Sequence, residues 1–105
     1  MTFSATMHAD ETTMTITLTG DLDRDAAPEL NDLVIQAASQ GVQRLVLLMR
    51  GLQYMSSAGL RCLVFAHQKM PRGTEIVLVG TQAEVAETIR LTGFDRSITM
   101  EETAV

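Results

Sequence analysis

The run Leu45-Val46-Leu47-Leu48-Met49 constrains the fold more than any other stretch of this chain. Five apolar residues in succession, preceded by Gly41 and followed by Gly51, are too few for a buried helix. They suit a strand of about residues 44–49 covered on both faces, as in a parallel sheet flanked by helices. Beyond a turn at residues 51–56 the periodicity changes, and Leu60, Leu63, Val64 and His67 recur on one stripe. We therefore predict a helix over residues 57–69 that buries Leu60, Leu63 and Val64 and turns Arg61, Gln68 and Lys69 outward. His67 continues the apolar stripe and reads as a partly buried, hydrogen-bonded histidine. A strand feeding a helix in this way sets Ser56 and Ser57 at the helix N-terminus.

The flanking segments supply the rest of an α/β domain. Met14, Ile16 and Leu18 alternate with Thr15, Thr17 and Thr19, the period of a strand with one buried face. A polar insert at residues 9–13 joins it to a first strand at residues 3–8, as in a hairpin. Residues 20–25, Gly-Asp-Leu-Asp-Arg-Asp, read as an acidic loop, with Asp25 as N-cap of a helix that Pro28 can open and Gly41 can close. The inward side of that helix is Ala27, Leu30, Leu33, Val34, Ala37 and Ala38. A strand at residues 75–80 follows the Pro71-Arg72-Gly73 turn. Thr81 and Glu84 then match a capping box for a third helix, which Gly93 should end in a left-handed conformation. Residues 95–100 suit a short edge strand, and residues 101–105 are expected to fray. The strand–helix–strand passage from Met14 to Met49 should be a right-handed crossover. It brings Asp21 and Asp23 to the same sheet edge as Met55, Ser56 and Ser57, where such sheets engage partners.

Composition bounds the function. The 105 residues fit one domain, residues 1–105. An aromatic share of 4% requires an aliphatic core filled in part by the seven methionines. No stretch approaches the ~20 apolar residues of a membrane span, and no secretory pattern opens the chain, so a cytoplasmic location is expected. The single Cys62 cannot form an internal disulfide and reads as a buried thiol rather than a reactive one. No Cys/His spacing suggests a metal site, and none of the residues implies a cofactor. Asp21, Asp23 and Asp25 are better explained by capping and solvation than by an oxygen cage around a cation. A net charge of −5 disfavours direct contact with nucleic acid.

The Ser56-Ser57 pair carries the chemistry. The first turn of a helix has unpaired N–H groups and partial positive charge, which suits a serine cap, an anion or a phosphate carried by a serine. A cap alone is the plainer account of two serines before a helix. Catalysis lacks a base: Ser57 and His67 lie ten residues apart on one helix, roughly 15 Å at 1.5 Å per residue. His8 is the only other histidine, and no Gly-x-Ser-x-Gly elbow or phosphate loop is present. The chain is expected not to be an enzyme.

Tyr54-Met55-Ser56-Ser57-Ala58-Gly59-Leu60, with Gly20-Asp21-Leu22-Asp23 upstream, resembles the anti-sigma factor antagonist (anti-anti-sigma factor) branch of the STAS domain family over nearly the whole chain. The resemblance implies a mixed sheet of four to five strands with helices packed mainly on one side. Members carry Asp-Ser-Ser-Gly-Leu, whose first serine is phosphorylated. Aligned on Gly59-Leu60, that serine is Ser57, with Ser56 as runner-up; Ser56 stands in place of the aspartate, Ala58 in place of the second serine, and Leu48 where many members have another aspartate. The implied partners are an anti-sigma factor and serine kinase with a histidine-kinase-like ATPase fold, which binds the unphosphorylated form and so frees a sigma factor, and a serine phosphatase that resets the cycle. Asp21, Asp23, Tyr54, Met55, Ser56, Ser57, Ala58, Gly59 and Arg61 would form the docking face. The alternative is a STAS subunit that is never phosphorylated and docks permanently in a larger assembly, such as an ABC transporter or a signalling scaffold.

Overall fold

The alternating threonine strand and the apolar run lie side by side at the centre of the molecule. A computed structural model of the chain describes residues 2–102. Strands β1 (Phe3–Ala9), β2 (Thr13–Leu22), β3 (Arg44–Met55), β4 (Glu75–Val79) and β5 (Thr99–Glu101) form one sheet in the order β1-β2-β3-β4-β5. β1 and β2 make the expected antiparallel hairpin, and every other neighbouring pair is parallel. Helices α1 (Ala27–Ser39), α2 (Ser57–Lys69) and α3 (Ala83–Thr92) make the connections, and a short 3-10 turn at Phe94–Ser97 leads into β5. The expected frayed end falls partly on residues 103–105, which lie outside the described residues.

The inward face carries Met14, Ile16 and Leu18 from β2, Leu45, Leu47 and Met49 from β3, and Ile76 and Leu78 from β4. One hydrophobic cluster joins these to the inner sides of all three helices. The core is aliphatic as expected: Phe3, Phe65 and Phe94 only border it, while Met14, Met49, Met55 and Met70 are within it. The expectation that β3 is covered on both faces needs correction. Val46 and Leu48 are half-buried on the alternate face, where they pair with the buried Val77 and Val79 outside the main cluster.

Both central strands outrun their predicted ends. β3 continues through Gly51 to Met55, and β2 continues through Asp21 to Leu22, where an acidic loop was expected. The cause is two irregularities in the β2–β3 ladder, between Thr17 and Thr19 and between Gly20 and Asp21. Each places one extra residue on β3, so its inward positions run Leu45, Leu47, Met49, then Leu52 and Met55. The period of two becomes a step of three and no longer reads as a strand. Gly51 belongs there because a Cβ would come within 2.7 Å of the Thr19 side chain.

The helix ends differ in detail. Asp25 does not cap α1: Ala26 holds the cap position without a side-chain bond, and Asp23 Oδ1 accepts from the amides of Asp25 and Ala26 at 3.1 and 3.0 Å. Leu33 and Ala38 are half-buried beside the buried Ala27, Leu30, Val34 and Ala37. The Thr81–Glu84 capping box is absent: Gln82 holds the cap position of α3 without a side-chain bond to the helix, and Thr81 Oγ1 is buried without a partner. Gly93 ends α3 in the left-handed conformation, as predicted.

Full burial on one face of β3 and partial burial on the other predicts unequal costs along the strand. Leu47→Ala should destabilise by about 2–5 kcal/mol, whereas Leu48→Ala, already half-exposed, should cost clearly less in urea denaturation.

Candidate functional site

β3 ends at Met55 and α2 begins at Ser57, so Ser56 alone connects them. Ser56 is extended, as an N-cap must be, and its Oγ accepts from the Gly59 amide at 3.4 Å. The same hydroxyl donates to the Leu22 carbonyl at 3.4 Å, and the Ser56 amide donates to that carbonyl at 3.0 Å. The end of β2 is thereby tied to the start of α2. Gly59 allows the approach: a Cβ there would lie 2.7 Å from the Leu22 oxygen and 2.9 Å from the Leu22 and Met55 side chains.

Ser57 occupies the first position of the helix and is exposed. Together with Asp23, Arg24, Asp25, Ser56, Ala58 and Arg61 it lines an open depression at the strand ends. Five of the predicted docking residues, Asp23, Ser56, Ser57, Ala58 and Arg61, therefore meet in one place. The others lie apart. Met55 and Gly59 are buried, Met55 bordering the cleft that holds Tyr54, and Asp21 pairs with Tyr54 across the β2–β3 ladder. Tyr54, 53% exposed, lines a separate cleft with Glu84, Val85 and Thr88 of α3. Sequence reasoning gave no site role to Arg24, or to Asp25 beyond a cap. Their position between Asp23 and the helix was the available signal.

The inner stripe of α2 is Gly59, Cys62, Leu63 and Ala66, with Leu60 and Val64 only half-buried. The predicted stripe was displaced, and His67 is exposed rather than partly buried; its ring meets Phe94 edge-on at 5.9 Å. Cys62 is buried, with its Sγ 3.7 Å from the Ala27 carbonyl. Burial pushes its thiol pKa up, partly opposed by the positive charge of Arg61. Among the described residues no group of three or more His, Cys, Asp or Glu could hold a metal ion, and no helix is long and apolar enough to cross a membrane.

A family model described as the STAS domain matches residues 4–104. The chain belongs to the STAS domain family. No curated protein sequence matches it. Among solved structures, this STAS domain is similar to an anti-sigma factor antagonist from Mycobacterium paratuberculosis, with 19% identity and a TM-score of 0.88 over 97% of this chain and 87% of that one. It is similar to SpoIIAA in its unphosphorylated form, with 17% identity and a TM-score of 0.75 over 99% and 90% of the two chains. It also resembles the Bacillus cell fate determinant SpoIIAA in the phosphorylated form, with 19% identity and a TM-score of 0.74 over 97% and 92%. At these identities the likeness is one of fold, and it extends to the five-stranded mixed sheet and three helices.

Two measurements test the junction. Ser56→Ala should cost ~1 kcal/mol as a lost cap and Gly59→Ala ~1–3 kcal/mol as an overpacked contact, while Ser57→Ala should stay within about 0.5 kcal/mol of the parent in urea denaturation. Because the folded state holds the Cys62 proton more tightly than the unfolded chain does, its contribution to stability falls as pH rises through the unfolded thiol's pKa. At neutral pH, iodoacetamide should label Cys62 slowly in the native protein and rapidly in urea.

Proposed function

We propose that this STAS domain is an anti-sigma factor antagonist that works by phosphorylation-controlled partner switching, with Ser57 as the phosphoacceptor. The observation that carries this reading is the division of labour between adjacent hydroxyls. Ser56 is half-buried and committed to the Leu22 carbonyl and the Gly59 amide, whereas Ser57 projects at the surface of the same helix start. The fold likeness to solved antagonists, one of them in a phosphorylated form, supports the antagonist reading in general.

In this scheme the unmodified domain binds an anti-sigma factor that is also a serine kinase with a histidine-kinase-like ATPase fold, and a sigma factor is released. Ser57 Oγ then attacks the γ-phosphorus of the kinase's ATP: the Oγ–P bond forms, the bond to ADP breaks, and the hydroxyl proton leaves to solvent. The phosphate adds roughly 1.5 to 2 negative charges at the depression and weakens docking. A serine phosphatase hydrolyses the ester and restores the binding form. The domain contributes no catalysis: Ser57 and His67 stand at opposite ends of α2, roughly 15 Å apart along its axis. Its influence on transcription runs through protein contacts rather than nucleic acid.

Co-purification followed by titration calorimetry tests the scheme. The parent chain and Ser57→Ala should capture the kinase with similar affinity, and Ser57→Asp should bind at least about tenfold more weakly, a loss of ~1.4 kcal/mol. Incubation with kinase and ATP should place phosphate on Ser57 of the parent and leave Ser57→Ala unmodified. Equal binding by all three proteins, or recovery of a transporter with no phosphate on the peptide, would replace switching with permanent docking.

A further inference from the structure

Two guanidinium groups share the depression with Ser57. Arg61 follows Ser57 by four residues on α2, one helical turn away, which sets their side chains on the same face. Arg24 comes from the turn before α1 and lines the same depression. Both are exposed, and among the described residues neither lies in an ion pair. The nearby carboxylates do not occupy them: Asp23 Oδ1 is bound to the amides of Asp25 and Ala26. The one ion pair among the described residues, Arg44 with Glu75 at 3.1 Å, sits at the far end of β3 and β4.

We propose that Arg61 and Arg24 grip the phosphate carried by Ser57, so that modification withdraws two cations from the docking face besides adding negative charge. This inference rests on Ser57 as the acceptor. The ionisable groups around the depression are Asp23, Arg24, Asp25 and Arg61, two cations against two anions, so the unmodified patch is locally neutral. A phosphoryl group offers three acceptor oxygens, and guanidinium groups bind such oxygens through paired N–H donors. The Ser57 and Ala58 amides, which precede the first intrahelical bond, are further donors on the same side. In the unmodified protein the two arginines are free to meet carboxylates of a partner; in the modified protein the phosphate holds them. A partner thus loses attraction as well as meeting repulsion.

The test places phosphoserine at position 57 by encoded incorporation in the full chain and follows its second ionisation by phosphorus NMR. A grip by cations favours the dianion, so its pKa should lie below that of the Arg24→Gln/Arg61→Gln protein by on the order of half a unit to one unit at low salt. The difference should shrink as salt is raised, because the groups are exposed. Arg44→Gln, remote from the depression, should titrate like the parent. Circular dichroism of the double variant checks that the fold persists, as expected for two exposed side chains. Indistinguishable titration of the parent and the double variant would overturn the grip. Since the phosphate is installed directly, that failure is separate from a failure of the kinase to modify Ser57, which mapping of the phosphorylated peptide decides.

Discussion

The architecture of the site depends on one carbonyl oxygen. Leu22 ends β2 and offers its C=O to both the amide and the hydroxyl of Ser56, while the same hydroxyl receives the Gly59 amide. Three hydrogen bonds among four groups from two distant segments close at the point where β3 becomes α2. Each bond is individually modest, and the hydroxyl contacts are long, but together they satisfy groups that a helix start leaves open. The buried Leu22, Met55 and Gly59 pack directly beneath. The position of Ser57 is therefore a property of the core as much as of the surface.

Much of this was legible from residue order. The threonine alternation in β2, the apolar run in β3 and the left-handed Gly93 all act locally, and local chemistry decides them. What escaped reading was set by contacts between distant segments. The two extra residues in β3 erase its period of two, so Gly51 through Tyr54 look like a turn although Gly51, Leu52 and Tyr54 pair with β2. On α2 the large apolar residues drew the expected stripe. The helix buries Leu63 as expected but otherwise turns its small residues Gly59, Cys62 and Ala66 inward, because Cys62 lies against the Ala27 backbone and Gly59 against Leu22. Leu60 and Val64 are pushed to the margin, and His67 is carried out to solvent with them. The capping box failed for a comparable reason: the side chain of Gln82 bonds the Arg50 carbonyl at 2.8 Å, and α3 starts from Gln82 rather than Thr81.

The candidate site shows the same split. Ser57, Ala58 and Arg61 follow from a motif on one helix, and Asp23 from the expectation that parallel strands deliver their C-terminal ends to one edge. Asp21 was assigned to the same face by that expectation and Tyr54 by the motif, yet strand alternation sends both elsewhere when Leu22 and Met55 point inward. Arg24 was overlooked because a lone arginine in an acidic stretch has no periodicity to mark it. Its place beside Ser57 is visible only once the β2–α1 turn and the α2 start line one depression.

A single residue separates strand from helix at the site, and this has a thermodynamic consequence. Most recognition elements on sheet edges are carried by loops that must give up conformational freedom on docking. Here the segment from β3 through Ser56 into α2 is already ordered by ladder, cap and core. A partner docking here, as proposed, would have little backbone to immobilise and would meet the edge nearly as a rigid body. Affinity at such a preorganised edge answers directly to the charge it displays, with no reserve of disorder to soften the change.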